Sequence, residues 1–303
     1  MAIDRRMLLG GLAAGVTTLA GGVARASLEY YDRQPIRPDT VNVVGQDLDT
    51  ILERGVIRIA AYDEFAPFSY RVGREPQGID VVLAEAIAER LGVSLRLMLV
   101  RADEDVSADL RNYIWRGPVV GGDVANVMLH IPYARSFNIL NEMAHLFGLY
   151  HEEVLALAVD PEKLDPALGV LGLDQDLVAA EVDTIGDVYL SSLQGGRLRE
   201  KVTRHRTPEL AVAALVQGRV AAAMGPMSQL EGLLGEERRR FRFVTGPFPG
   251  LAIASWPIGA AVHISYRDVG YEVGDIITDL VQTGRMAEIF ADHGVTWRQP
   301  AML

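Results

Sequence analysis

The stretch that decides the fold runs from Gly55 to Gly92 and reads GVIRIAAYDEFAPFSY, then RVGREPQ, then GIDVVLAEAIAERLG. Val56 to Ala61 is a short apolar run rich in β-branched residues, which predicts a buried strand. Asp80 stands where its carboxylate can cap the free N–H groups at the start of a helix, and Gly92 follows the helix's apolar stripe. Residues 94–100 predict the next strand, so the order is strand, loop, helix, strand.

The loop between this strand and this helix is predicted to lie at a ligand site. In open α/β sheets, ligands bind beyond the carboxyl ends of the strands. Four side chains are predicted to lie at this end of the sheet: Tyr62, Phe65, Phe68 and Asp80. The same pattern also fits a generic βαβ unit in which the aromatic side chains only cover the end of the sheet.

Residues 55–92 resemble the opening of bacterial extracellular solute-binding proteins of family 3, the amino-acid-binding type. A weaker similarity continues in the run IITDLVQTGRMAEIFADHGV at 276–295. The resemblance implies an α/β protein with the type II periplasmic-binding-protein fold, in which two lobes joined by two hinge crossings close around a ligand. We expect residues 51–155 and 256–303 to form lobe 1 and residues 156–255 to form lobe 2.

The first 26 residues are predicted to be a signal peptide. Arg5 and Arg6 make a charged start, a weakly apolar run follows, and a small-x-small site allows cleavage after Ala26. The paired arginines favour the twin-arginine export route, although such pairs also occur in ordinary signals. A membrane anchor is the alternative, but the run is short and rich in glycine for a stable span. We therefore expect a periplasmic protein without stable membrane insertion, with residues 27–50 as an N-terminal extension.

Composition and charge exclude several classes of partner. The chain of 303 residues has a formal charge of -11, and loss of residues 1–26, which carry three arginines and one aspartate, would make it -13. Such a chain is a poor partner for nucleic acid or an anionic membrane. The absence of cysteine excludes a disulfide framework, a thiol nucleophile and thiolate metal ligands. We expect no cofactor and no metal, and we expect a monomer.

Residues 101–117 form an acidic segment with two interpretations. Asp103, Asp105 and Asp109 have a loosely calcium-like spacing, but the glycine and the closing glutamate of an EF-hand loop are missing. A solvated helix start, in which the acids complement the helix dipole, is the simpler interpretation. Trp115 is expected to line the cleft or to pack beneath it. The acidic run, followed by DLRN and a WxG sequence, resembles a subgroup of these proteins found beside quinoprotein alcohol dehydrogenases in methylotrophs.

The loop after the predicted strand 124–129 holds the clearest candidate ligand contact. In the family this loop carries a threonine and an arginine that bind the ligand's carboxylate; Arg135 stands at the arginine's place, while Pro132 and Tyr133 replace the threonine region. A guanidinium group suits a carboxylate, and a surface ion pair is the alternative role for Arg135. His130, at the end of the strand, is either a ligand contact or a hydrogen-bonded structural residue.

The hinge strand is predicted at residues 154–159, shortly after Tyr150, which belongs to a segment that stands at the place of the family's Phe-Ser-x-Pro-Tyr. In an extended chain His151 and Glu153 would share one face, so a zinc-like pair is conceivable. Two ligands without a third are weak evidence, and we expect a solvated loop beside the hinge instead.

Two positions of the second lobe are expected at the cleft. Gly169 to Leu173 predicts a strand, and Asp174 can begin a helix through residues 178–190; the resemblance implies that this turn donates N–H groups to the ligand. Gly225 stands with Pro226 where the family often has an aspartate that holds an amino acid's ammonium group. Half of the zwitterion clasp is therefore missing, which argues against a standard α-amino acid.

Twelve residues form the predicted ligand site: Tyr62, Asp63, Phe65, Phe68, Asp80, Trp115, His130, Tyr133, Arg135, Tyr150, Asp174 and Gly225. Together they suit a small solute that is anionic or planar. Three functions fit: capture of such a solute for an ABC-type importer, docking on a periplasmic PQQ-dependent alcohol dehydrogenase, and a cyclohexadienyl-dehydratase-like activity. The last would need Glu152 or Glu153 as general acid or base, and we expect a protein that is not an enzyme.

Overall fold

The computed structural model describes residues 44–119, 121–173 and 176–301. The predicted signal peptide, most of the N-terminal extension and Asp174 lie outside these residues.

Eleven strands are present in the described part of the chain: β1 Val56–Tyr62, β2 Tyr70–Val72, β3 Glu75–Gln77, β4 Ser94–Val100, β5 Val127–Pro132, β6 Ala144–Val159, β7 Val178–Glu181, β8 Val202–His205, β9 Ala222–Pro226, β10 Arg242–Val244 and β11 Ser255–His263. The α-helices of the same part are α1 Leu48–Arg54, α2 Ile79–Leu91, α3 Val106–Leu110, α4 Arg135–Leu140, α5 Ile185–Gly196, α6 Pro208–Val216, α7 Met227–Leu234, α8 Arg267–Gln282 and α9 Arg285–Asp292. One π-helical turn, Arg111–Trp115, continues α3.

The sheet passes from one lobe to the other through β6. In lobe 1 the strand order is β4-β1-β5-β11-β6, with β1 parallel to β4 and β5. The first part of β6 pairs with β11 as far as Val154, opposite Ser255. From Leu155 onward β6 pairs instead with β9. Strand β9 pairs with β7, and β7 pairs with β8. Strand β10 pairs with the other edge of this part of β6. The change of partner falls at the boundary that we place between the lobes.

The predicted strand, helix and second strand of residues 55–92 and beyond are confirmed as β1, α2 and β4. The predicted capping role of Asp80 is wrong. Gly78 is the N-cap residue and makes no side-chain capping bond. Its φ is 121°, and a Cβ atom at this position would overlap the carbonyl oxygen of Phe68. Asp80 is instead fully buried and hydrogen-bonded by Tyr150, because its carboxylate points into the protein.

The start of the second lobe differs from the prediction. Residues 169–173, predicted as a strand, belong mainly to the 3₁₀ helix Pro166–Gly172, and the residues from Val178 predicted as helix form strand β7. Helix α5 begins only at Ile185, where Thr184 caps it. The run VAAE is too short and too rich in alanine for periodicity to separate helix from strand. Its pairing with β8 and β9 decides the outcome.

The sequence Ser-Gln-Leu-Glu at 228–231 predicts a capping box, and the apolar run 251–255 predicts a strand; both predictions are wrong. The side chains of Ser228 and Glu231 do not cap α7 but bond to the hinge strand and to the C-terminal segment at Thr296. The strand begins only at Ser255, as β11. Partners distant in sequence therefore take the two side chains that the local pattern assigned to helix capping.

Candidate ligand-binding cleft

A cleft of about 1150 Å³ lies between the lobes. Its lobe 1 lining comes from loops that follow β1, β4 and β5, and its lobe 2 lining comes from residues at and after the ends of β7, β8 and β9. Strands β6 and β11 form its floor through Glu153, Leu155, Trp256 and Ile258. The carboxyl ends of the parallel strands of both lobes therefore face one space, which is at the upper end of the size range of small-molecule sites.

The lobe 1 wall is aromatic. The rings of Phe65 and Phe68 stack with centroids 5.4 Å apart, and the ring of His130 contacts Phe65 at 4.7 Å and Phe68 at 4.2 Å. Phe68 is fully buried and Phe65 is half-buried. This wall offers an apolar, planar surface with one imidazole beside it.

A buried hydrogen-bond network supports this wall from behind. The hydroxyl of Tyr150 donates to Asp80 at 2.8 Å, and Nδ1 of His130 lies 3.2 Å from the other carboxylate oxygen of Asp80. Burial, together with the Asp80 carboxylate, raises the pKa of Tyr150 well above its usual value, so its hydroxyl keeps the proton that it donates. The main-chain N–H of His130, which has a φ of 61°, donates to the same hydroxyl at 3.0 Å. The imidazole is thus held in one orientation at the cleft surface.

The floor of the cleft carries a buried carboxyl group. Glu153 is 2% exposed, and its Oε1 accepts the main-chain N–H groups of Val154 at 3.0 Å and Ser228 at 3.2 Å. Burial raises the pKa of Glu153, and these hydrogen bonds oppose the rise. Trp256 stands directly opposite Glu153 on the neighbouring strand β11.

His151 lies beneath the floor and stays neutral. Its Nε2 is 2.9 Å from the hydroxyl of Ser228, and its Nδ1 accepts the main-chain N–H of Arg298 at 3.4 Å. Burial, and then the charges of Arg298 and His130, lower the pKa of His151 to about 3. The expectation of a solvated loop for His151 and Glu153 is wrong, because both lie on the central strand β6 and are buried.

The lobe 2 wall consists of two helix N-termini. Thr184 caps α5 by accepting the N–H of Asp187 at 3.3 Å, and Thr207 caps α6 by accepting the N–H of Leu210 at 3.4 Å. The residues around both caps line the cleft. The first of these helix starts is predicted at Asp174, although the pattern D-T-I-G-D at 183–187 is an N-cap signal.

The predicted site residues separate into three groups. The cleft lining includes Asp63, Phe65, Phe68 and His130. A second layer behind the lobe 1 wall holds Tyr62, Asp80 and Tyr150, which are buried and do not line the cleft. The remaining described residues do not line the cleft: Trp115 and Tyr133 pack against the apolar cluster that contains Tyr62, Arg135 is exposed at the start of α4, and Gly225 is buried within β9 beside Pro226, which does line the cleft.

The acidic segment is only partly solvated. Asp105 caps α3 by accepting the N–H of Ala108 at 2.8 Å, as a helix start predicts. The same interpretation is wrong for Asp109, which is fully buried and accepts the hydroxyl of Tyr62 at 2.8 Å and the N–H of Asp103 at 2.8 Å. Burial raises the pKa of Asp109 to about 7. Among the described residues, no cluster of three or more His, Asp or Glu side chains is arranged to hold a metal ion.

The chain has structural neighbours but no sequence relatives in the comparisons. No protein-family model and no curated protein matches it. An ancestral cationic amino acid solute-binding protein, AncCDT-1, has 17% identity and a TM-score of 0.66, with 82% of this chain and 99% of that chain covered. The amino acid ABC transporter substrate-binding protein AbpA from Streptococcus pneumoniae, bound to L-arginine, has 20% identity and a TM-score of 0.57, covering 81% and 97%. The cysteine-binding protein from Campylobacter jejuni has 19% identity and a TM-score of 0.56, covering 81% and 92%.

These matches extend over four fifths of the chain and nearly the whole of each neighbour. Within the residues that the structure describes, no helix has the length and apolar character to cross a bilayer. At this level of identity the likeness concerns the fold alone. The chain has the two-lobed α/β fold of the periplasmic binding proteins, in which strand β6 crosses between the lobes and the chain returns to lobe 1 just before β11.

Proposed function

We propose that this protein is a periplasmic solute-binding protein that captures a small molecule between its lobes and delivers it to an ABC-type importer. The carrying observation is the cleft of about 1150 Å³ that both lobes and both hinge strands line. Solved proteins of the same fold include substrate-binding components of amino acid ABC transporters. A ligand that touches both walls would favour the closed arrangement of the lobes.

The lining supports a ligand with a planar or apolar part. Phe65 and Phe68 present stacked rings on one side, and Trp256 presents an indole from the floor. The expectation of an anionic group depended on Arg135, whose side chain is exposed at the start of α4 and does not belong to the lining. The proposal therefore keeps the planar ligand and places no anion at Arg135.

A thermal-shift assay with the chain from residue 27 onward tests this function. The probe is the dialysate of a growth-medium extract, which holds the solutes below 1 kDa, separated by chromatography. We expect at least one fraction to raise the melting temperature, because a ligand at 100 times its Kd stabilises the folded state by about 2.7 kcal/mol. Phe65→Ala should lose most of the shift, and Val72→Ala, which changes an exposed side chain outside the cleft, should retain it. Equal shifts for both variants, or none for the wild type, would contradict the proposal.

A second candidate is docking on a periplasmic quinoprotein alcohol dehydrogenase. The observation that favours it is the missing amino acid clasp: Arg135 is outside the cleft lining, and Gly225 supplies no carboxylate. Co-purification with such a dehydrogenase at low salt, lost at high salt, would support docking. Recovery without the dehydrogenase under both conditions would count against it.

A third candidate is elimination of water from a cyclic substrate. Glu153 is a buried cleft carboxyl with a raised pKa, as a general acid requires, and one neighbour of the fold is described as a precursor of cyclohexadienyl dehydratase. We expect no aromatic product when the protein is incubated with cyclohexadienyl substrates. Product formation that Glu153→Gln abolishes would replace the binding function by an enzymatic one.

A further inference from the structure

We propose that Glu153 is the residue that selects the ligand, and that the ligand carries an ammonium group, as a primary amine or a related organic cation does. The proposal rests on solute capture as the function of the cleft and names the chemical class of the solute. It assigns the recognition to the hinge strand β6, and neither to Arg135 nor to position 225.

Glu153 keeps accepting capacity toward the cleft. Its two main-chain hydrogen bonds, from Val154 at 3.0 Å and Ser228 at 3.2 Å, both go to Oε1, and the side chain of Ser228 makes a further hydrogen bond to the carboxylate. A carboxylate offers about four lone-pair sites on two oxygens, so these three bonds leave capacity to accept from a ligand. Because Glu153 is 2% exposed and lines the cleft, a donor reaching it is shielded from solvent.

Trp256 completes a site for a cation. Glu153 and Trp256 are directly opposed on antiparallel strands, and directly opposed residues project from the same face of a sheet. Both side chains line the cleft. An ammonium group can therefore donate to the carboxylate while it contacts the indole ring, and cation–π contacts contribute about 1–2 kcal/mol when the site is desolvated.

The other charges of the cleft agree with a cationic ligand. The lining has five carboxylates, which are Asp63, Glu64, Glu153, Glu181 and Glu209, and three arginines, which are Arg71, Arg101 and Arg206. Arg71 is paired with Asp63 at 3.2 Å, and Arg101 and Arg206 are exposed. Of the five acids Glu153 is the buried one, so its charge is the least screened by water.

His130 is the nearby group that could compensate Glu153 without a ligand. A charged His130 would favour the ionised carboxyl of Glu153. However, its Nδ1 already lies 3.2 Å from the carboxylate of Asp80, which is fully buried. His130 is therefore held by a contact within lobe 1, and a ligand cation can approach Glu153 from the cleft.

Isothermal titration with matched solutes tests this inference. The probes are phenethylamine and isoamylamine as amines, L-phenylalanine and L-leucine as zwitterions, and 3-phenylpropionate and 4-methylpentanoate, which keep the same apolar parts but carry no cationic group. We expect at least one amine-bearing probe to bind the wild type, with its amine-free counterpart at least tenfold weaker. Glu153→Gln, which preserves shape and folding, should weaken that amine at least tenfold, and Glu153→Asp should restore part of the affinity. Glu152→Gln, on the opposite face of the same strand and outside the lining, should change it less than twofold.

The outcomes separate the two proposals. Tight binding of the amine-free probes, or equal amine affinity in Glu153→Gln and wild type, would overturn the assignment of Glu153 while leaving solute capture intact. Failure of every probe and every extract fraction to bind the wild type would overturn both. Denaturation curves and circular dichroism of each variant establish that a loss of affinity is not a loss of folding.

Discussion

The two walls of the cleft are built in different ways. The lobe 1 wall is part of the hydrophobic core: Phe68 is fully buried, contacts Phe65 and His130, and has Phe290 behind it at 6.2 Å. The lobe 2 wall consists of two helix starts, and the α6 start lies at the surface, where Leu210 is 49% exposed. Lobe 1 therefore presents a surface that folding itself makes rigid, whereas the α6 start of lobe 2 presents exposed side chains.

Truncation of one side chain in each wall tests this difference most strongly. Phe68→Ala should reduce the free energy of unfolding by about 3–5 kcal/mol, because it removes a buried ring and leaves a cavity. Leu210→Ala should change it by less than about 0.5 kcal/mol, as expected for an exposed position. Urea denaturation measures both, and equal losses would show that the two walls do not differ in this way.

The support behind the lobe 1 wall is expected to depend on pH through Asp109. Its pKa is raised to about 7 in the folded protein, whereas an unfolded aspartate has a pKa of about 3.9. Between these values the unfolded state has lost the proton and the folded state has kept it, so the Asp109 contribution to the free energy of unfolding falls as pH rises from about 4 to about 7. The total is at most about 4 kcal/mol. Asp109→Asn removes the titration and should gain stability relative to the wild type at pH 8 but not at pH 4.

His151 also makes the stability depend on pH, so the effect of Asp109 has to be measured as the difference between the variant and the wild type. Its pKa is lowered to about 3 from an ordinary 6.5, so the unfolded state binds the proton first, and this group destabilises the protein as pH falls below about 6.5. Its slope is opposite to that of Asp109. Subtracting wild-type from Asp109→Asn values at each pH cancels His151, and a difference that does not vary with pH would contradict the role given to Asp109.

A smaller effect than those of Phe68→Ala and Asp109→Asn is expected at the start of α5. Thr184→Ala removes the hydroxyl that accepts the N–H of Asp187 at the start of α5 and should cost about 1 kcal/mol. Thr184→Ser keeps the acceptor and should cost only a few tenths. A loss as large as that of Phe68→Ala would show that this helix start is as tightly integrated as the aromatic wall.

The two walls also differ in how well the sequence predicts their structure. Strand β1, its aromatic loop and helix α2 were predicted correctly, because an apolar run, a 3.6-residue stripe and a helix-stopping glycine all act within 40 residues of one another. Phe65 and Phe68 were placed at the cleft from this local order. On the other side, the sequence predicts a helix for the VAAE run of β7, and this is wrong because only its pairing with β8 and β9 makes it a strand.

The floor was missed for a related reason. The sequence predicts a solvated loop for Glu153 and does not indicate Trp256 as a site residue. Their juxtaposition depends on the register between two strands that are about 100 residues apart in the chain. Arg135 shows the reverse error in emphasis: its place in a motif suggested a cleft contact, while the path of α4 leaves it exposed.

By itself, the sequence determined the α/β class, the strand, helix and strand of residues 56–100 and the aromatic character of one wall, since hydrophobic periodicity is a local property of the chain. Only the tertiary structure decided which charged groups meet in the cleft and which are buried away from water. The burial of Asp109 and Glu153, and with it their raised pKa values, depends on what packs around each carboxyl group, and those neighbours come from distant parts of the chain.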